Sequence, residues 1–187
     1  MKLLVFAASH RKHSINRKLA ALAGRLAEAK GAVIDFPEYG DFDMPMYDDE
    51  TFDAQALPAA VARFVACLSQ ADGIIISSPE YNWSYPGSLK NIIDWASVVT
   101  PNPFSGKAAL LLSASPSLRG GLQGLLHLNV PLSHLGVFVF PRVFALSRAA
   151  EAFGNGEELK DAKLAQELDQ LVAHFMHAAK ALSSVAK

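Results

Sequence analysis

The 187-residue chain reads as an α/β protein built on a doubly wound, five-stranded parallel sheet with helices on both faces. Short apolar runs alternate with stretches of helical periodicity along the whole sequence. The central run, Gly73-Ile74-Ile75-Ile76-Ser77-Ser78, is apolar enough for a strand covered on both sides. No internal repeat, low-complexity tract or linker divides the chain, so residues 1–187 are expected to form one domain.

Taken in order, Lys2 to Ala7 is the first strand. Ser14 to Lys30 is helical, with Ile15, Leu19, Leu22 and Leu26 at three- and four-residue spacing. Ala32 to Phe36 is the second strand. A long loop from Pro37 to Ala56 leads to a helix from about Leu57 to Gln70, whose apolar face is Val61, Phe64, Val65 and Leu68. Asp72 to Ser78 is the third strand. Pro86 and Gly87 open a helix that runs to about Val99, and a Pro-Asn-Pro stretch separates it from the fourth strand, Lys107 to Ser113. A helix over Gly121 to His134, a fifth strand over Gly136 to Phe140 and a long amphipathic helix over Glu157 to Leu182 complete the pattern.

Composition removes several functions. A net charge of −1 offers no electrostatic reason to bind nucleic acid or an anionic membrane. Every apolar stretch is interrupted well short of the ~20 residues that span a bilayer. The apolar start meets His10, Arg11 and Lys12 too early for a secretory leader, so a first strand is expected there. The single cysteine, Cys67, excludes an intrachain disulfide and fits a reducing, cytoplasmic location. The histidine pairs 127/134 and 174/177 lack a cysteine or carboxylate to complete a metal site, so no metal is expected. Residues 31–58 carry eight acids and no Lys or Arg, whereas residues 1–30 carry seven basic residues and one acid. The acidic segment reads as a solvated surface loop.

Chemistry-bearing residues concentrate in three loops, each following a strand and so falling on one edge of such a sheet, where a ligand crevice forms. The first, Ala8 to Arg17, sets Ser9, Arg11, Ser14 and Asn16 at the amino end of a helix, where free N–H groups and the dipole favour a phosphate. Ser14 alone is equally well a helix cap, worth ~1 kcal/mol. The loop is neither a Walker A nor a Gly-x-Gly-x-x-Gly loop. The second loop, Pro79-Glu80-Tyr81-Asn82-Trp83-Ser84-Tyr85, offers two aromatic faces with amide and hydroxyl groups, a set suited to a flat heteroaromatic ligand. Alone it is equally an ordinary strand-to-helix connection. The third, Ser113 to Gly121, brings small residues and Arg119 to the same edge, or serves as a helix-initiating turn.

Together these loops resemble the NADPH-dependent FMN reductase family, the flavodoxin-like quinone, azo and metal reductases. The resemblance spans nearly the whole chain and is most specific at Ser78-Pro79-Glu80-Tyr81-Asn82, Tyr85-Pro86-Gly87, Leu89-Lys90-Asn91 and Asp94. It implies a flavodoxin-like fold with bound FMN, Ser9, Arg11, Ser14 and Asn16 holding the phosphate, and Pro79, Glu80, Tyr81, Asn82 and Ser84 lining the isoalloxazine. Ser113, Ser115, Arg119 and Gly120 match the family's third flavin-side loop. Ala8 departs from the glycine usual before the first-loop serine. The resemblance also implies NAD(P)H as co-substrate, hydride passing through the flavin to a quinone, azo compound, free flavin or metal oxyanion, and no catalytic triad. Arg119 is the candidate cation for charge near flavin N1 and O2.

Members of that family pair as homodimers or homotetramers with the flavin at the junction. Met44-Pro45-Met46-Tyr47, or Ile92, Ile93, Trp95 and Val98, would supply the contact here unless those residues are internal core. A flavodoxin-type electron carrier is the rival reading, and a flavin-binding regulator a third. Carriers are usually strongly acidic, and this chain is nearly neutral. NADPH and NADH cannot be separated from sequence, because Arg11, Arg17, Arg119 and Arg142 are all available to a 2′-phosphate.

Overall fold

A computed structural model of the chain describes residues 1–50, 52–53, 56–154 and 157–185. β1 (Lys2–Ala7), β2 (Val33–Asp35), β3 (Gly73–Ser77), β4 (Ala108–Ala114), β5 (Phe138–Val139) and β6 (Phe144–Leu146) form one sheet. The helices are α1 (Ile15–Ala29), α2 (Ala59–Gln70), α3 (Gly87–Ser97), α4 (Leu122–His134) and α5 (Ala162–Val185). All strand pairs are parallel, in the order β2-β1-β3-β4-β5 with β6 also on β4. That is the order of flavodoxin-like doubly wound sheets, and its direction reverses between β1 and β3.

Side-chain alternation along the central strands divides the interior into two cores. Leu3, Val5 and Ala7 of β1, Ile75 of β3 and Leu110 and Leu112 of β4 face α1 and α5, where Leu19, Leu168 and Phe175 close the layer. Leu4 and Phe6, Ile74 and Ile76, and Leu111 face α2, α3 and α4, meeting Phe64, Leu89, Ile92 and Leu125. Both faces being covered explains why these strands read as continuous apolar runs. Each fully buried large side chain contributes ~1.5–3 kcal/mol, so the two layers fix the strand ends to which the loops attach.

The fifth strand differs from expectation. Only Phe138 and Val139 pair there, with Ala108 and Ala109, and a second segment, Phe144 to Leu146, pairs further along β4 with Leu112 to Ala114. Pro141 lies between them and has no N–H to give the ladder, so one strand position is filled by two short pieces. α5 starts at Ala162 rather than Glu157, because the Asp161 carboxylate accepts from the N–H groups of Lys163 and Leu164 (2.8 and 3.3 Å) and sets the first turn. Ile92, Ile93 and Trp95, considered above for subunit contact, are at most 5% exposed and belong to the internal core. Among the described residues no helix is long and apolar enough to cross a membrane.

Candidate active site

The carboxyl ends of β3 and β4 are joined by one side chain. Asn16, in the first turn of α1 and buried, donates from Nδ2 to the Ala114 carbonyl (2.9 Å). Its Oδ1 accepts from the Ala114 N–H and from the Ser77 hydroxyl, both at 2.9 Å. Asn16 therefore stands at the predicted phosphate end, with its amide largely committed to holding α1 against two strands. Ser14 caps α1, its hydroxyl accepting from the Arg17 N–H at 3.2 Å. The N–H groups of Ile15 and Asn16 at the start of the helix have no acceptor within it.

A cleft at this edge is lined by Ser9, Arg11, Ser14, Ile15 and Asn16 from the first loop, Pro79, Glu80 and Tyr81 from the second, and Ala114, Ser115 and Pro116 from the third. The three loops singled out in the sequence thus share one cavity. The end formed by the first loop suits an anion: Arg11 is exposed there, the helix start lies beside it, and the loop itself carries no acid. Ala8, the departure from the family glycine, donates its N–H to the Ser77 carbonyl at 2.9 Å and packs its methyl group in the core, clear of the cleft.

The second loop is a two-residue hairpin. Tyr81 and Ser84 exchange backbone bonds of 2.8 and 3.0 Å, and the residues between them, Asn82 and Trp83, have φ of 50° and 68°. Those values mark a type I′ turn, where Asn is favoured first and Gly second. Trp83 occupies the glycine position, a conformation that costs a bulky residue about 1–3 kcal/mol. Tyr81 and Trp83 remain half exposed, and the Arg119 guanidinium lies 4.6 Å from the Trp83 ring centre. Glu80, which also lines the cleft, accepts at Oε2 from the Gly124 N–H at 2.9 Å, placing a carboxylate at the positive end of α4.

Ser113 and Gly120 take different roles from those expected. Ser113 is fully buried in β4, its Oγ unpartnered among the described residues and covered by Gly121, where an added Cβ would collide with it. Gly120, at φ 63°, packs so closely on the Ala145 carbonyl of β6 that a Cβ would clash there too. Ser113 serves close packing of the third loop on β4 and Gly120 its packing on β6, and neither lines the cleft. Asn82, Ser84 and Arg119 are also outside its lining, although Asn82 and Ser84 adjoin Tyr81 in the second loop.

Tyr39 and His10 were not anticipated. Tyr39, in a 3-10 turn over Tyr39–Phe42, is buried beside Phe6, bonds to the Ser88 hydroxyl at 3.0 Å and contacts His10, ring centres 4.7 Å apart. Burial pushes its phenol up to about 12, against the opposing pull of the Ser88 bond. The Pro45 carbonyl next to this segment accepts from Asn91 Nδ2 (2.9 Å) and Trp95 Nε1 (2.8 Å), clipping the Met44–Tyr47 stretch onto α3. An aromatic inside an acidic segment was the only sequence signal for this support.

The fold and cleft define a doubly wound protein with a polar cleft at the switch point of its sheet, beside the half-exposed rings of Tyr81 and Trp83. The family model described as NADPH-dependent FMN reductase matches residues 1–151. An Escherichia coli quinone reductase is 34% identical over 139 residues, covering 74% of this chain and 73% of the relative. An NAD(P)H-dependent FMN reductase of Pseudomonas aeruginosa is 40% identical over 129 residues, 68% of each chain. Among solved structures, the flavoenzyme NAD(P)H:(acceptor) oxidoreductase FerB from Paracoccus denitrificans superposes with a TM-score of 0.82 at 30% identity, covering 96% of this chain and 97% of that one. Flavodoxin 1 from Bacillus cereus, at 16% identity and a TM-score of 0.62 over 95% of this chain and 98% of that one, shares the fold. The chain belongs to the NADPH-dependent FMN reductase family. It is an oxidoreductase that uses FMN as cofactor and NAD(P)H as co-substrate.

Proposed function

We propose that this enzyme is a cytoplasmic reductase of quinones and related flat acceptors, with FMN held by the residues of the cleft. FMN, when bound, supplies the two-electron chemistry between nicotinamide and acceptor. Arg11, the Ser9 and Ser14 hydroxyls and the amino end of α1 hold its phosphate. Asn16 keeps that end seated against β3 and β4. Pro79, Tyr81, Asn82 and Ser84 border the ring, with Glu80 fastening the same loop to α4 and Ser115 closing the third side. The observation that carries the reading is the pair of half-exposed rings, Tyr81 and Trp83, beside the cleft, which leave an open stacking surface for a planar guest.

One open face cannot hold both substrates together, so steady-state rates over several quinone and NAD(P)H concentrations should give parallel double-reciprocal lines. Mass spectrometry of the released cofactor should give FMN. Intersecting lines would establish a separate acceptor site, and FAD or no flavin would overturn the cofactor placement.

The enzyme also forms a homo-oligomer through α4 in this reading. Leu122, Leu126 and Val130 recur every four residues along its outer side, next to exposed Leu118, and form an apolar stripe beside the second loop. Light scattering of Leu126→Glu should show a smaller species than the native chain. An unchanged mass would exclude this stripe as the contact.

A further inference from the structure

Four arginines compete to read a phosphate on the nicotinamide dinucleotide, and their surroundings separate them. Arg17 makes a bidentate pair with Glu38 and packs over Phe36, its carbon 5.5 Å from that ring centre. Arg142 lies 3.9 Å from Glu167 of α5. Arg11 lines the cleft at the amino end of α1, where the FMN phosphate belongs. Arg119 is exposed, lies outside the cleft and makes no ion pair among the described residues. No Asp or Glu occurs between residues 95 and 150, and the carboxylate of the loop beneath Arg119, Glu80, is bonded to the Gly124 N–H and makes no ion pair with it among the described residues. A second exposed cation, Arg148, is joined to the same loop through its N–H, which donates to the Ser117 carbonyl at 3.2 Å.

Placement adds to charge. A guanidinium lying over an indole keeps its N–H edges free for a bidentate acceptor, and the ring restricts the side-chain freedom that binding would otherwise remove. The ring is itself held: Trp83 is fixed by the Tyr81–Ser84 bridge at a turn position that glycine would normally take. The pair stands two residues beyond Tyr81, the aromatic that lines the cleft, on the side to which a dinucleotide stacked on the flavin would extend.

Building on the proposed function, we infer that Arg119, seated on Trp83, binds a phosphate of the reduced dinucleotide and confers preference for NADPH through its 2′-phosphate. Arg119 then acts on the co-substrate, not on charge within the flavin ring.

The test compares Arg119→Gln with the native enzyme, FMN-saturated, using NADPH, NADH and 1-benzyl-1,4-dihydronicotinamide, which donates hydride but has no phosphate. Calorimetric titration with 2′,5′-ADP and with ADP gives a readout independent of turnover. The loss in kcat/KM for NADPH should exceed that for the benzyl donor by roughly tenfold or more, as loss of a charge-assisted bond requires. Binding of 2′,5′-ADP should weaken in parallel. Trp83→Gly, which suits the turn, should show the same pattern with a smaller loss. Equal losses for NADPH and NADH, with the benzyl donor spared, would support phosphate binding while moving the contact to the pyrophosphate. Equal loss on all three donors would place Arg119 at the flavin and overturn the inference, as would native affinity for 2′,5′-ADP. If the native protein bound no flavin, the functional reading would fail, and the 2′,5′-ADP titration of the protein as purified would still decide Arg119.

Discussion

The first and second loops of the site solve opposite problems at the same sheet edge. The first, proposed to meet the cofactor's anionic end, carries no left-handed residue: Ser14 caps α1, Asn16 is bonded across two strands, and the helix start supplies donors without cost. The second, proposed to border the reactive end, carries consecutive left-handed residues, Asn82 and Trp83, closed by two short backbone bonds. Anchoring a phosphate needs only an ordinary helix terminus. Presenting an aromatic face at a chosen angle requires a conformation the chain would otherwise avoid.

Asn16 ties the first loop to the ends of β3 and β4, from which the other two loops leave, so Asn16→Ala is expected to do the most damage. It deletes three buried bonds and strands the Ala114 N–H and carbonyl, for about 3–5 kcal/mol of stability. Urea unfolding should register that loss together with weakened FMN binding, and a change below ~1 kcal/mol would dismiss the bridging role.

Beneath the second loop, Tyr39 gives a pH-dependent contrast. Its phenol is pushed up to about 12 from an unfolded value near 10, so the neutral form is favoured in the fold. The stability this provides is complete below pH ~10 and is lost as pH rises towards ~12, to the extent of about 2–3 kcal/mol. Tyr39→Phe should remove that part of the alkaline decline in unfolding free energy. Identical slopes for the two proteins would remove Tyr39 as its cause.

Arg11→Ala isolates the first loop. It should lower FMN affinity by roughly ten- to a hundredfold, or ~1.5–3 kcal/mol, with little effect on turnover at saturating FMN. Fluorescence titration measures the affinity, and a native Kd would transfer phosphate binding to the helix end alone. Trp83→Gly isolates the second. Relief of the left-handed strain should raise stability by about 1 kcal/mol in thermal unfolding, while the kinetics on NADPH worsen. A stability loss would show that the indole's contacts outweigh the strain.

The architecture was legible because two-sided burial writes itself into sequence: a strand such as Gly73 to Ser77 cannot alternate when both its faces are core. The three loops were legible for a different reason, since a strand followed by hydroxyl, amide or aromatic residues leaves few uses for them. Less visible were properties that depend on what lies opposite. Nothing local in Ser113 says that Gly121 covers its hydroxyl, and nothing in Gly120 distinguishes flexibility from the close approach of Ala145. Asn16 has the residue type of a phosphate ligand, and only the neighbouring strands turn its amide inward. Likewise the apolar residues of α3 met the core, and the exposed stripe fell on α4, a distinction that periodicity alone does not make. The split fifth strand was foreseeable from Pro141, had its missing N–H been set against the need to pair with β4.

The chain's two tryptophans sit in unlike surroundings, and that gives it a pair of optical reporters. Trp95 is shielded, its indole N–H given to the Pro45 carbonyl and its ring edge-on to Tyr47, 5.2 Å between centres. Trp83 is in water beneath a guanidinium. Emission from Trp95 should lie to shorter wavelength and follow release of the Met44–Tyr47 strap during unfolding. Emission from Trp83, the redder component, should be quenched when a nucleotide settles at the rim, so a single spectrum of the native protein distinguishes an occupied site from a loosened fold.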